Sequence, residues 1–257
     1  FPILIDQEGG RISRLNNIIL TFPFTGNYFG EIFKKNLKNL NIHLDIYINQ
    51  ISYLLRELGI NLNTSPVLDI KVKDSSKIIG DRAFSNNSKI VSKIGDLVIE
   101  KFHANKIGSM IKHIPGHGLA KSDSHLYTPL IKKDLSFLKK NDFMAFMKKK
   151  SIFAMTAHVI FSKIDKINTV THSKKLIKII REEIKFKNVI VSDDISMKSL
   201  KYSILENTKK AFTAGCNLVL HCNARMSEMK VVAENSPKVD NFLLQKTLEF
   251  YKLINNK

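Results

Sequence analysis

The chain has 257 residues, enough for one large α/β domain, with 44% apolar and 25% charged residues and a formal net charge of +18. No run of about 18 apolar residues occurs, so no membrane span is expected, and the apolar start meets Asp6 and Glu8 at once, unlike a secretory leader. The basic excess is nearly all lysine, spread along every helical segment with many Ile and Asn and without interleaved aromatics, so no nucleic-acid partner is expected.

Residues 1–6 form a short apolar strand ending in Asp6, turned by Gln-Glu-Gly-Gly-Arg (7–11) and followed by Arg14. The chain opens on this strand without Met, which predicts further residues before Phe1. Residues 31–59 carry Phe33, Leu37, Leu40, Leu44, Ile48, Ile51, Leu55 and Leu58 at helical spacing. Ile42 and Ile46 fall off that face, which predicts two helical pieces with a break near Asn41. A strand over 60–70 ends at Asp69, a loop over 79–84 carries Arg82, and an amphipathic helix covers 86–105.

A mostly apolar run, 107–114, reads as a buried strand, and Pro115, Gly116 and Gly118 turn it into a loop. The window 112–129 holds His113, His117, Asp123 and His125. Residues two apart in an extended segment point the same way. The Asp123 carboxylate can therefore orient the His125 imidazole and raise its pKa, giving a proton shuttle tuned near neutral pH. Two other readings of the same residues remain: a surface loop that happens to carry histidines, and a metal site of His113, His117 and His125. No Cys or HExxH helix accompanies the histidines, so no metal is expected.

Further along, Asp134 caps a helix running to residue 150, and 152–158 is a strand ending in His158. A helix over 173–186 precedes a strand over 189–194 that ends in Asp193 and Asp194. A helix over 200–214 is closed by Gly215, a strand covers 218–221, and helices cover 225–234 and 237–254. Cys216 and Cys222 flank that last strand, too far apart to bridge, and two unpaired thiols fit a reducing compartment.

Strand and helix alternate with short connections, which predicts a parallel sheet with helical crossovers in one domain, 1–257. Five of six strands end in Asp6, Asp69, His113, His158 and Asp193. Polar groups gathered at C-terminal strand ends predict an active site at the mouth of a (β/α)-barrel. Asp193 reads either as a side chain delivered to that mouth or, with Asp194, as the N-cap of the next helix. An Asp on one strand end and an Asp–His pair on another fit a double-displacement hydrolase.

These residues stand in motifs: I-D-Q-E-G-G-R-I-S-R (5–14), S-P-V-L-D-I (65–70), G-D-R-A-F (80–84), K-H-I-P-G-H-G (112–118), D-S-H-L-Y-T-P (123–129), T-A-H-V-I-F (156–161), V-I-V-S-D-D-I-S-M (189–197) and A-G-C-N-L-V-L-H-C-N (214–223). In this order they resemble the family-3 glycoside hydrolases, and within them the bacterial β-N-acetylglucosaminidases (β-hexosaminidases) of peptidoglycan recycling. The resemblance implies a (β/α)8 TIM-type barrel whose first two βα units are missing from this chain. It implies Asp193 as nucleophile and His125, paired with Asp123, as acid/base. It implies that Asp6, Arg14, Arg82, Lys112 and His113 hold the sugar hydroxyls and acetamido group. Simple alternation aims only one of Lys112 and His113 inward, so the pair requires a bend at the strand end. The resemblance further implies a cytoplasmic monomer without metal or organic cofactor, acting on a small glycan, a GlcNAc-anhydro-muropeptide. The alternative is a remnant that binds glycan or a partner without hydrolysing it.

Overall fold

The structure is a computed structural model and describes residues 2–72, 76–122 and 127–255. In chain order the elements are β1 (Leu4–Ile5), α1 (Gly26–Lys35), α2 (Leu37–Glu57), β2 (Leu62–Asn63), α3 (Ser88–Ala104), β3 (Gly108–Ile114), β4 (Leu130–Ile131) and α4 (Leu135–Lys140). They continue with β5 (Phe153–Thr156), β6 (Ile160–Phe161), α5 (Lys174–Glu182), β7 (Val189–Asp194), α6 (Ile204–Ala214), β8 (Leu218–Leu220), α7 (Met226–Glu234) and α8 (Asn241–Asn255). Six strands form one sheet in the order β1-β2-β3-β5-β7-β8, which is their order along the chain. Every neighbouring pair is parallel. The sheet is therefore a row of six consecutive (β/α) units of a TIM-type barrel, and among the described residues β1 and β8 end that row. Strands β4 and β6 pair separately beside it.

Strand alternation sorts the core into two layers. Ile111 and Ile114 of β3 and Ile190 of β7 point outward into the helix layer, with Ile48 and Ile51 of α2 and Val91, Ile94, Val98 and Phe102 of α3. Met110, Phe153, Met155, Val189 and Val191 point to the opposite side, where Phe250 and Ile254 of α8 cover them. The Phe250 ring meets Phe153 edge to face at 5.4 Å. It occupies the space that a Cβ on Gly108 would need. This inner face is closed at its lower end by α8. The next residues on the same face at its upper end are Lys112 and Asp193.

The helix boundaries are set by caps. The break in the long helical stretch falls at Asn36, five residues before the expected position near Asn41. Asn36 accepts hydrogen bonds from Lys38 N and Asn39 N and so starts α2 afresh. The helix expected from Asp134 to residue 150 ends at Lys140 and is followed by a 3₁₀ turn over Phe143–Phe146. Phe143, Ala145 and Phe146 are all fully buried there, so packing decides the local path over propensity. The strand expected over 60–70 is paired in the sheet only at Leu62–Asn63, with one further bridge from Val67 to Lys112. Pro66 has no N–H to give the ladder. The helix after β7 starts at Ile204, capped by Ser203 in a capping box with Glu206. Asp193 and Asp194 therefore cap nothing.

Gly30 sits in α1 directly beneath the Phe84 carbonyl, and a methyl added there would collide with that oxygen. Gly30→Ala would gain helix propensity of about 1 kcal/mol in an open helix. Here we expect a net loss of roughly 2 kcal/mol or more, because backbone must move to admit the Cβ. Urea denaturation of the two proteins measures it, and equal midpoints would refute the close approach.

Candidate active site

Strands β1, β2, β3 and β7 deliver their C-terminal ends to one mouth. The cavity there is about 510 Å³, counting the open solvent at its entrance. It is lined by Asp6, Arg14, Arg82, Lys112, His113, His117 and Asp193, with Ile12, Ile78, Ile79 and Met155 as apolar walls. Six residues singled out in the sequence thus share one pocket of ligand-binding size. Asp123 and His125 lie outside the described residues.

A buried charge network forms its floor. The Lys112 ammonium, 2% exposed, lies 2.6 Å from Asp6 Oδ1 and 2.6 Å from Glu8 Oε1. It also donates to Thr64 Oγ1 at 2.9 Å, and the Thr64 hydroxyl donates to Asp6. Arg82 grips Glu8 through two parallel hydrogen bonds of 2.8 Å from Nε and Nη2. Burial alone would push the carboxylates up, but Lys112 holds Asp6 well below the usual range, and Lys112 with Arg82 bring Glu8 to about 2. Burial works against Lys112 as well, yet Glu8 and Asp6 outweigh it and raise the ammonium. Arg14 reaches Asp6 from the open side at 3.8 Å and stays mostly exposed.

Lys112 and His113 both line the pocket, and the strand end is irregular where alternation would separate them. The register against β5 shifts between Lys112 and Ile114, and the Lys112–His113 peptide is cis. His113 is then clamped by Asp69, which is fully buried. Its Nδ1 lies 2.7 Å from Asp69 Oδ2, and because the carboxylate only accepts, Nδ1 carries the proton. Asp69 also accepts from His113 N and, at 2.6 Å, from His117 N. These donors outweigh desolvation and keep Asp69 below the ordinary carboxylate range.

Asp193 arrives on the inner face of β7, two residues beyond Val191. Its Oδ1 accepts from Asp194 N at 2.8 Å. Burial would protonate it, but the His158 and His113 imidazoles, that N–H and the Lys112 ammonium together lower its pKa. It is a carboxylate at neutral pH, the state a nucleophile needs. His158 stands behind it, with Nε2 donating to Asp194 O at 3.0 Å and Nδ1 accepting from Thr171 Oγ1 at 2.7 Å. Burial lowers the His158 pKa, against the Asp193 charge that raises it.

Asp69 and His158, expected at the mouth only as strand-end polar groups, and His117, expected only in the metal reading, belong to this site. Glu8 and Thr64 belong to it as well and carried no signal in the sequence. Both ring nitrogens of His117 are buried without a partner, and burial pushes that imidazole down to about 4. The His113 and His117 rings stand 5.8 Å apart, and among the described residues no three His, Cys, Asp or Glu side chains gather as metal ligands do.

Asp142 lies beneath this loop, against Gly116, whose positive φ of 140° and close approach exclude a side chain. Both Asp142 oxygens are buried without partners, and burial with the nearby Asp69 charge raises its pKa from 3.8 to about 7. The folded protein thus keeps a proton that the unfolded chain releases near pH 3.8. Between those values the folded state binds more protons, so stability falls as pH rises. Asp142→Asn removes this dependence. The variant should gain on the wild type by on the order of 2 kcal/mol between pH 4 and pH 7. Denaturation midpoints of both proteins at the two pH values check this, and a constant difference would refute it.

Residues 2–244 match the family model described as the glycosyl hydrolase family 3 N terminal domain. A beta-hexosaminidase of Nitrosomonas eutropha is 33% identical over 230 residues, covering 86% of this chain and 64% of that protein. One from Idiomarina loihiensis is 30% identical over 246 residues, covering 93% and 72%. Among solved structures, NagZ from Neisseria gonorrhoeae in complex with N-trifluoroacetyl-D-glucosamine superposes with a TM-score of 0.86 at 26% identity, over 99% of this chain and 76% of that one. A family 3 beta-N-acetylglucosaminidase from Paenibacillus sp. gives 0.87 at 26% identity, over 99% and 50%. The chain spans about two thirds of the length of these two curated relatives. It belongs to the family of the glycosyl hydrolase family 3 N-terminal domain.

Proposed function

We propose that the chain carries the catalytic site of a retaining exo-β-N-acetylglucosaminidase that removes terminal N-acetylglucosamine from 1,6-anhydro-muropeptides in the cytoplasm during peptidoglycan recycling. The observation that carries this reading is the pocket shared by Asp6, Arg14, Arg82, Lys112, His113 and the ionised Asp193. The relatives named beta-hexosaminidase and the sugar-bound NagZ structure support the same substrate class.

In this scheme the sugar sits with its ring hydroxyls against the charged floor. Asp6 Oδ2, on the open side, accepts a hydroxyl, the Arg82 and Arg14 side chains donate, and Lys112 holds Asp6 in place from below. Asp193 attacks the anomeric carbon and forms a glycosyl ester. The bond to the leaving oxygen breaks, and His125, oriented by Asp123, gives that oxygen its proton. Water then attacks the ester, His125 takes its proton, and Asp193 is released as a carboxylate. No metal or organic cofactor enters these steps, and a monomer suffices.

Hydrolysis of aryl β-N-acetylglucosaminides tests this directly. Asp193→Ala should lose at least about 10³-fold in kcat on any substrate. His125→Ala should lose about 10²-fold or more on a poor leaving group and much less on dinitrophenol, which leaves without a proton. Equal loss on both would remove His125 as the acid. A folded wild-type protein, extended upstream of Phe1, that hydrolyses neither substrate would favour a non-catalytic glycan-binding remnant.

A further inference from the structure

The strand that delivers Asp193 is irregular at that residue. β7 pairs with β8 through Val191 with Leu218 and then Asp194 with Leu220, so three steps on β7 face two on β8. Such a bulge breaks the ladder and re-aims the side chains that sit on it. Ser192 and Asp193 occupy it. The Leu220 N–H donates to the Ser192 hydroxyl oxygen at 3.0 Å, and the backbone ladder resumes only beyond Asp194, where Ile195 N donates to Leu220 O at 2.9 Å. On the other side of β7, the register with β5 ends at Val191. Strand pairing therefore brings Asp193 to the mouth without fixing its direction there.

Asp194 supplies that hold. Alternation turns its side chain to the face opposite Asp193. Its Oδ1 accepts from Cys222 N, just past β8, at 3.1 Å and from Ser196 N at 3.0 Å. The Ser196 hydroxyl lies 2.8 and 2.7 Å from its two oxygens. Its carbonyl accepts from His158 Nε2, just past β5, at 3.0 Å. The residue is thus tied to the ends of both neighbouring strands and to the turn that follows. Its own N–H, held between these anchors, donates to Asp193 Oδ1 at 2.8 Å.

We propose that Asp194 is a positioning residue for the nucleophile. Its side chain acts as a hydrogen-bond acceptor, not as a charge, and anchors the peptide whose N–H aims the Asp193 carboxylate at the anomeric carbon. The inference rests on the hydrolase reading above. Asp194→Asn separates the two roles. It keeps an oxygen for Cys222 N and Ser196 N, and its amide nitrogen can donate to the Ser196 hydroxyl, which also accepts. Asp194→Ala keeps none of these bonds.

Steady-state kinetics on two aryl β-N-acetylglucosaminides, one with a poor leaving group and one with dinitrophenol, test this. Asp194→Ala should lower kcat at least about 30-fold on both and leave KM within about threefold, since the sugar-binding side chains stay in place. Asp194→Asn should remain within about fivefold of the wild type. Ser196→Ala, which removes one donor, should lose about threefold to tenfold in kcat. A kcat for Asp194→Ala close to wild type would overturn the inference. So would a loss confined to KM or to the poor leaving group, and so would Asp194→Asn being as slow as Asp194→Ala, which would make the charge the active feature. Thermal melting shows whether the variants fold. If Asp194→Ala does not, the other two decide: a crippled Asp194→Asn or an unaffected Ser196→Ala overturns the role. A folded wild type that hydrolyses neither substrate defeats the hydrolase reading and this inference with it, whereas an active wild type with unaffected variants defeats this inference alone.

Discussion

The site depends on one buried ammonium. Lys112 is shared by Asp6 and Glu8, and Glu8 is shared in turn with Arg82. Two cations and two anions balance, so none is left buried without its counter-charge. Removing one partner from such a set typically costs 3–5 kcal/mol, because the remaining charges stay buried and uncompensated. The network ties together residues 6, 8, 64, 82 and 112, which come from four separate stretches of chain. It fixes the relative position of the ends of β1, β2 and β3. It also saturates the inner faces of Glu8 and Lys112 and leaves the part-exposed Asp6 and the exposed Arg14, with the buried His113 in the pocket wall, to meet a ligand.

That floor is the upper limit of an apolar column. Alternation along β3, β5 and β7 puts Met110, Phe153, Met155, Val189 and Val191 on the inner face, and Phe250 of α8 seals the lower end. The next inward positions are Lys112 and Asp193. The same period of two that builds the core therefore also places the charged residues at the mouth. A slip of one residue in β7 would turn Asp193 into the helix layer and bring Ser192 or Asp194 to its place at the pocket.

This arrangement was legible in the sequence wherever burial and periodicity acted alone. The strand ending at Asp194 has the expected bounds, since a continuous apolar run closed by two acids admits one reading. The gathering of Asp6, His113 and Asp193 followed from polar residues at strand ends. What escaped were features decided by contacts distant in sequence. The helix after Asp134 stops early because Phe143 and Phe146 are taken up by the core. Asn36, rather than Asn41, breaks the long helix because its side chain finds two free N–H groups. The strand near Pro66 shrinks to two paired residues because proline cannot give a ladder hydrogen bond. Glu8 was invisible as the partner of Arg82, 74 positions away. Of the proposed acid/base pair, the sequence alone speaks, since Asp123 and His125 lie outside the described residues.

Three carboxyl groups at the mouth show how the chain assigns charge. Asp69, Asp142 and Asp193 all suffer desolvation as their largest perturbation. Asp69 receives backbone N–H groups and the His113 ring, and stays ionised. Asp193 receives the Asp194 N–H and faces two imidazoles and an ammonium, and also stays ionised. Asp142 finds no side-chain donor or cation, stands near the Asp69 charge, and rises to about 7. Burial is common to the three, so donors and neighbouring charges together separate them. Asp69 spends its charge on orienting His113 and His117 from below. Asp193 is the ionised member that lines the cavity, which is where a substrate carbon would meet it.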